Sequence, residues 1–228
     1  MDGGFQILDI ILFAMIAGFI FLRLRASLGR RSGQEDQSRP RPTLLGEGAT
    51  EPVSAKDKRS ALSERIDRKN DEEAFASASA RTAVKQVQDI DTSFDAPLFV
   101  AGAKSAYEII VTAFAKGDLE TLKPLLSAEV FAGFSNAIKE RDGRGEVHET
   151  TLVGFKSAKI CDAEIKNRHG EVTVRFQAEI IHAERNAEGN IISGSPHAMD
   201  LVTENWTFSR DLQSRDPNWI LVATSTPA

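Results

Sequence analysis

The chain has a single cysteine, Cys161, so no internal disulfide can form. That excludes a disulfide-stapled secreted module and fits a reducing compartment. Cys161 stands apart from any Cys/His pairing motif and reads as a small core or strand residue. An excess of positive charge is also missing. The formal charge is −5, whereas a nucleic-acid-binding domain normally carries a basic footprint, so nucleic acid is not expected as a partner. The histidines, His148, His169, His182 and His197, form no metal-binding spacing such as H-x-x-x-H. His148, His169 and His197 fall in expected turns or loops. There is no G-x-S-x-G, P-loop or dinucleotide glycine pattern. No cofactor or metal is therefore expected, and no catalytic residue is assigned.

What is present begins with a long apolar run from Phe5 to Leu22, FQILDIILFAMIAGFIFL. At about 1.5 Å per residue this run spans about 27 Å, close to a hydrocarbon core of about 30 Å. Gln6 and Asp9 sit near one end, where polar groups reach the headgroups. A cleaved signal peptide would need positive charge before the run and a small-residue cleavage site after it. Here Asp2 precedes the run, and Arg23, Arg25, Arg30 and Arg31 follow it. The run reads as a single-pass transmembrane helix. Arginines beside a membrane helix stay on the cytoplasmic side, so the N-terminus is expected outside and the bulk of the chain inside. The same arginines can attract anionic lipid.

Ser32 to Lys58 holds Gly33, Pro40, Pro42, Gly46, Gly48 and Pro52 with few bulky residues, the composition of a disordered linker. From Asp57 to Ile90 proline and glycine vanish, alanine is plentiful and charges crowd together. This segment reads as helical. Leu62, Ile66, Phe75, Val84 and Val87 are sparse apolar positions on it, so it is expected to act as a spacer or to meet a partner.

A folded α+β domain is expected from Ala96 onward. Helical periodicity runs from Ala96 to Lys116, ended by Gly117. Asp118 caps a short helix and Ser127 a third, and Gly143 and Gly145 close the helical part. Strands follow at Thr151–Lys166, Glu171–His182, Met199–Arg210 and Trp219–Thr224, with turns at Asn167–Gly170 and Ala187–Asn190 and a loop through Gly194 and Pro196. The reading divides the chain into a transmembrane helix (5–22), a basic juxtamembrane segment and linker (23–58), a charged helical region (59–92) and the α+β domain (96–228).

The domain resembles the Tim44-like family. The resemblance rests on F-x-x-G-A-K-x-A-Y at Phe99–Tyr107, A-F-A-K-G-D at Ala113–Asp118 and L-L-S at Leu125–Ser127. V-T-V-R-F at Val172–Phe176, W-T-F-S-R-D at Trp206–Asp211 and D-P-N-W at Asp216–Trp219 complete it. It implies an NTF2-like cone of helices packed on a curved antiparallel sheet around an apolar pocket. It also implies a membrane adaptor with protein partners in translocation or chaperone machinery. The apolar run at 5–22, with no Arg-rich, acidic-poor amphipathic leader evident, makes a bacterial inner membrane the expected location. The mitochondrial relative tethers a chaperone motor; that role is not carried over, because this chain supplies its own membrane helix and a shorter region before the domain.

Alternation places Val174, Phe176, Ala178 and Ile180 on one strand face, and Val202, Trp206 and Phe208 on another. Val174, Phe176, Ala178, Val202, Trp206 and Phe208 are the candidate lining of the apolar pocket. Glu204 falls on the same face beside Trp206, where an apolar setting would raise its pKa, with Tyr107 and Asp200 as possible companions. Two rivals to the adaptor follow: a membrane-held enzyme or small-molecule sensor using that pocket, and a factor that docks ribosomes at the membrane.

Overall fold

The computed structural model describes residues 72–227. The expected transmembrane helix (5–22), its flanking arginines, the linker (23–58) and the first part of the charged region lie outside the described residues. Four helices come first: α1 (Ala78–Ile90), α2 (Ala96–Lys116), α3 (Leu119–Leu122) and α4 (Ala128–Gly143). Five strands follow: β1 (Val147–Lys166), β2 (His169–Arg185), β3 (Ile191–Gly194), β4 (Asp200–Asp211) and β5 (Ile220–Ser225). The strands form one antiparallel sheet in the order β1-β2-β4-β5, with β3 paired to the far end of β2.

Local chemistry sets the helix ends. Ser77, Asp95, Asp118 and Ser127 each accept a hydrogen bond from a backbone N–H of the first turn they precede. α2 stops at Gly117, whose φ of 70° is left-handed and suits glycine. The Phe114 carbonyl accepts from Gly117 N at 3.1 Å and from Arg141 Nη1 of α4 at 2.8 Å, and Arg141 is buried there. The L-L-S string at Leu125–Ser127 docks the chain on β5: Leu221 N donates to Leu125 O at 2.8 Å, and Ser127 N donates to Leu221 O at 2.9 Å. Asn167 and Arg168, both at positive φ, make the tight β1–β2 turn.

Three irregularities in β1, at Leu152/Gly154, Phe155/Ser157 and Ile160/Asp162, bend the long β1–β2 pair. The helices cover the inner face of the bent sheet. α2 has 21 residues and contains an 18-residue stretch of mean hydropathy 1.4, enough by length and composition to cross a membrane. Its stripe of Phe99, Ala103, Tyr107, Ile110 and Ala113 is instead buried in the hydrophobic core, so α2 is a core helix.

The structure corrects several expectations. The charged region is not one continuous helix up to Ile90. Residues 72–74 are helical, but Phe75 leaves the helix to form a parallel bridge with Ile160 of β1, and α1 starts afresh after Ser77. Nor is this segment a spacer outside the domain, because Ala74, Phe75, Ala80, Val84, Val87 and Phe94 all belong to the core. The core therefore begins well before Ala96. The β1–β2 pair is longer than read, and this puts His148 in β1 and His169 at the start of β2 rather than in loops. β3 occupies part of what read as the loop before Pro196.

Candidate functional site

The strand register decides what faces the helices. Val172, Val174, Phe176 and Ala178 of β2 pair across with Phe208, Trp206, Glu204 and Val202 of β4. Paired residues share a face, so all six residues of the candidate lining, and Glu204 among them, point inward. Val174, Phe176 and Ala178 have no exposed surface, Trp206 and Phe208 almost none, and Val202 is half-buried. Aromatic rings pack against this lining. Tyr107 of α2 lies 4.4 Å from Trp206, 4.9 Å from Phe176 and 5.4 Å from Phe155, centroid to centroid. These six side chains pack as core.

One polar pair sits in that core. Tyr107 Oη donates to Glu204 Oε2 at 2.9 Å. Burial pushes the Glu204 carboxyl above the usual glutamate range, and the Tyr107 hydroxyl and Trp206 indole only partly hold it down. Burial, and then the Glu204 charge, raise the Tyr107 phenol well above its ordinary value. The buried Trp206 Nε1 approaches the Glu204 carboxyl but falls short of full hydrogen-bond geometry. Asp200, the other expected companion, is not part of this group. It faces His182, with Oδ2 3.4 Å from His182 Nδ1. His148 pairs with Glu184 at 3.6 Å, and burial lowers its pKa. Cys161 is half-buried, and burial raises its thiol pKa, which leaves it a weak nucleophile.

A cleft lies elsewhere, and alternation alone could not have located it. About 460 Å³ of space opens beside the edge of β1, away from the candidate lining. Pro97, Val100 and Lys104 of α2 form one wall, Lys156, Ser157, Ala158 and Lys159 of β1 the other, and Glu73 and Ala74 one end. Lys104 Nζ also stands 5.9 Å from the Phe155 ring centroid.

Comparison with known proteins adds the following. Residues 80–226 match the family described as the Tim44-like domain. A mitochondrial import inner membrane translocase subunit, TIM44-1 of Arabidopsis thaliana, is 22% identical over 126 residues, 55% of this chain and 27% of that protein. The human subunit is 17% identical over 144 residues, 63% of this chain and 32% of that protein. An uncharacterised protein of Rickettsia prowazekii is 23% identical over 226 residues, 95% of this chain and 96% of that protein. The chain thus spans about a third or less of these mitochondrial proteins but nearly all of the Rickettsia one. Among solved structures, the intermembrane-space region of chloroplast protein ARC6 aligns with a TM-score of 0.39 at 18% identity, covering 67% of this chain and 98% of that one. An NTF2-like family protein of Streptomyces avermitilis aligns at 0.30 and 16%, covering 57% of this chain and 97% of that one.

Proposed function

Because the chain belongs to the Tim44-like domain family, we propose that it is a non-enzymatic adaptor held at a bacterial inner membrane, serving protein translocation or membrane-protein assembly. The observation that carries this reading is the family match across residues 80–226, joined to likeness along nearly the whole length of a bacterial protein. The run at 5–22 supplies the anchor. Arg23, Arg25, Arg30 and Arg31 set its orientation, with the folded domain on the cytoplasmic side. Aromatic rings pack much of the inner face of the sheet, which favours partner contact on the outside of the domain. Crosslinking in native membranes, followed by mass spectrometry, tests the adaptor: translocation, assembly or chaperone components should be captured. A reporter active only outside the cytoplasm, fused to the C-terminus, should stay silent; strong activity would reverse the orientation.

One observation favours a second reading, an enzyme or small-molecule sensor. Glu204 has a raised pKa beside the buried Trp206 indole, the sort of environment in which functional carboxylates occur. Under that reading Glu204→Gln would abolish function while leaving the fold intact. Under the adaptor reading, partner capture survives the substitution.

A further inference from the structure

We infer that the cleft between α2 and the edge of β1 is a docking groove for an extended acidic peptide, which adds to the sheet as a strand. The inference rests on the adaptor reading in taking a protein segment as the occupant.

β1 is an end strand of the sheet, so one of its edges has no neighbouring strand. Among the described residues, the chain itself uses that edge at one point: Ala76 N donates to Ile160 O at 2.8 Å, beside the Phe75–Ile160 parallel bridge. Strand addition at this edge is therefore already part of the fold. The direction of the open backbone groups follows from the ladder. In an antiparallel pair, alternate residues turn both N–H and C=O toward the same neighbour. Ile160 turns its carbonyl outward, and the register is regular back to Ala158. Ala158 therefore also turns its N–H and C=O toward that edge, and Ala158, 8% exposed, lines the cleft. Two main-chain groups at the floor, spaced as in a sheet, suit an extended backbone.

The walls supply the side-chain chemistry. Lys104, Lys156 and Lys159 line the space against one carboxylate, Glu73. Lys156 is paired with Glu179 at 3.2 Å. Lys104 and Lys159 have no carboxylate partner among the described residues. Pro97, Val100 and Ala74 add apolar surface to the same lining. An extended chain alternates its side chains between two sides, so acidic residues would meet the lysines and apolar ones the wall. An anionic lipid headgroup would satisfy the lysines but would leave the aligned backbone groups unused, which favours the peptide.

The test uses the full chain in nanodiscs of neutral phosphatidylcholine and a labelled peptide, Val-Glu-Val-Asp-Val-Glu-Val. The acidic peptide should bind saturably, and its counterpart with lysines in place of the acids should not. Methylating alternate backbone nitrogens of the peptide should weaken binding about tenfold or more, since strand addition needs them. The K104E/K159E double variant should weaken it at least as much, and K104Q/K159Q less. Four results would overturn the inference: no binding, equal binding of the methylated peptide, equal binding by K104E/K159E, or lysine-dependent binding of phosphatidylglycerol vesicles in place of the peptide. The methylated-peptide arm uses the unaltered chain, so it stands even if a variant folds poorly. Crosslinking in native membranes separates this failure from failure of the adaptor. Partners captured by a chain that ignores the peptide would sink the groove alone; no partners from either chain would sink both.

Discussion

Glu204 meets two demands that oppose each other. Its place in β4 turns it inward opposite Phe176, and the surroundings there penalise its charge. Because its pKa is raised on folding, the folded chain keeps this proton to higher pH than the unfolded chain does. The group is neutral for stability below the ordinary glutamate range, becomes destabilising as pH rises toward the folded pKa, and adds a constant cost above it. Glu204→Gln keeps an acceptor for the Tyr107 hydroxyl and removes the charge. The variant is expected to match the parent near pH 4 and to be the more stable near pH 7, read as Tm across about that range. An unchanged pH slope would mean that the carboxyl is solvated. Tyr107→Phe removes the donor and leaves the carboxylate poorly satisfied, at about 1–3 kcal/mol in denaturant unfolding. The same change in the Glu204→Gln background should cost less, which a double-mutant cycle reads directly. The inward direction of Glu204 was legible from alternation alone. Its bond to Tyr107 was not, because the partner lies 97 positions away on a helix whose rotation about its axis sequence leaves open.

At the scale of elements, the least legible was α1. Its apolar positions are few, and Ala80, Val84 and Val87 make only a narrow stripe on a charged segment. That stripe becomes core because β1, about eighty residues further on, offers an edge for Phe75 and a surface for the helix. β3 was hidden for the opposite reason: four residues held by backbone pairing carry little side-chain pattern. The capped helices were plain to read because Asp118, Ser127 and Gly117 act locally. The end of α1 is fixed to the sheet by an ion pair between Asp91 and Arg210, with both side chains only 12% exposed. Burial works against the Asp91 charge, but hydrogen bonds from Ser93 and Arg210 outweigh it and hold its pKa below the usual range. Arg210 also stacks over Trp219, with its guanidinium 5.1 Å from the ring centroid. Asp91→Ala strands a buried guanidinium and is expected to cost about 3 kcal/mol, whereas Arg210→Met together with Asp91→Ala should recover part of that. Gly117→Ala adds a Cβ at positive φ, 3.0 Å from Arg141 Nη2, and is expected to cost about 1–2 kcal/mol. Both are measured by denaturant unfolding.

For the whole molecule the question is where the folding unit begins. Sequence pattern placed that point at Ala96, since the periodicity of α2 is the first strong apolar signal. The core instead recruits Ala74, Phe75, Ala80, Val84, Val87 and Phe94, all less than a tenth exposed. Burying a large apolar side chain contributes about 1.5–3 kcal/mol, and the four larger ones here together approach the whole stability of an ordinary domain, about 5–15 kcal/mol. Removing them also uncovers Ile160 at the β1 edge and leaves Arg210 without Asp91. A fragment starting at Ser60 keeps every one of these contacts and is expected to be soluble and to unfold in one cooperative transition. A fragment starting at Ala96 keeps the strands and α2 but loses the cover over β1. It is expected to show no cooperative transition, or to aggregate through the exposed edge. The comparison is made by circular dichroism and denaturant titration on both fragments. If the shorter one unfolds cooperatively at the same denaturant midpoint, α1 is an accessory to the domain rather than part of its core, and the groove beside Ala74 would lose one of its fixed ends.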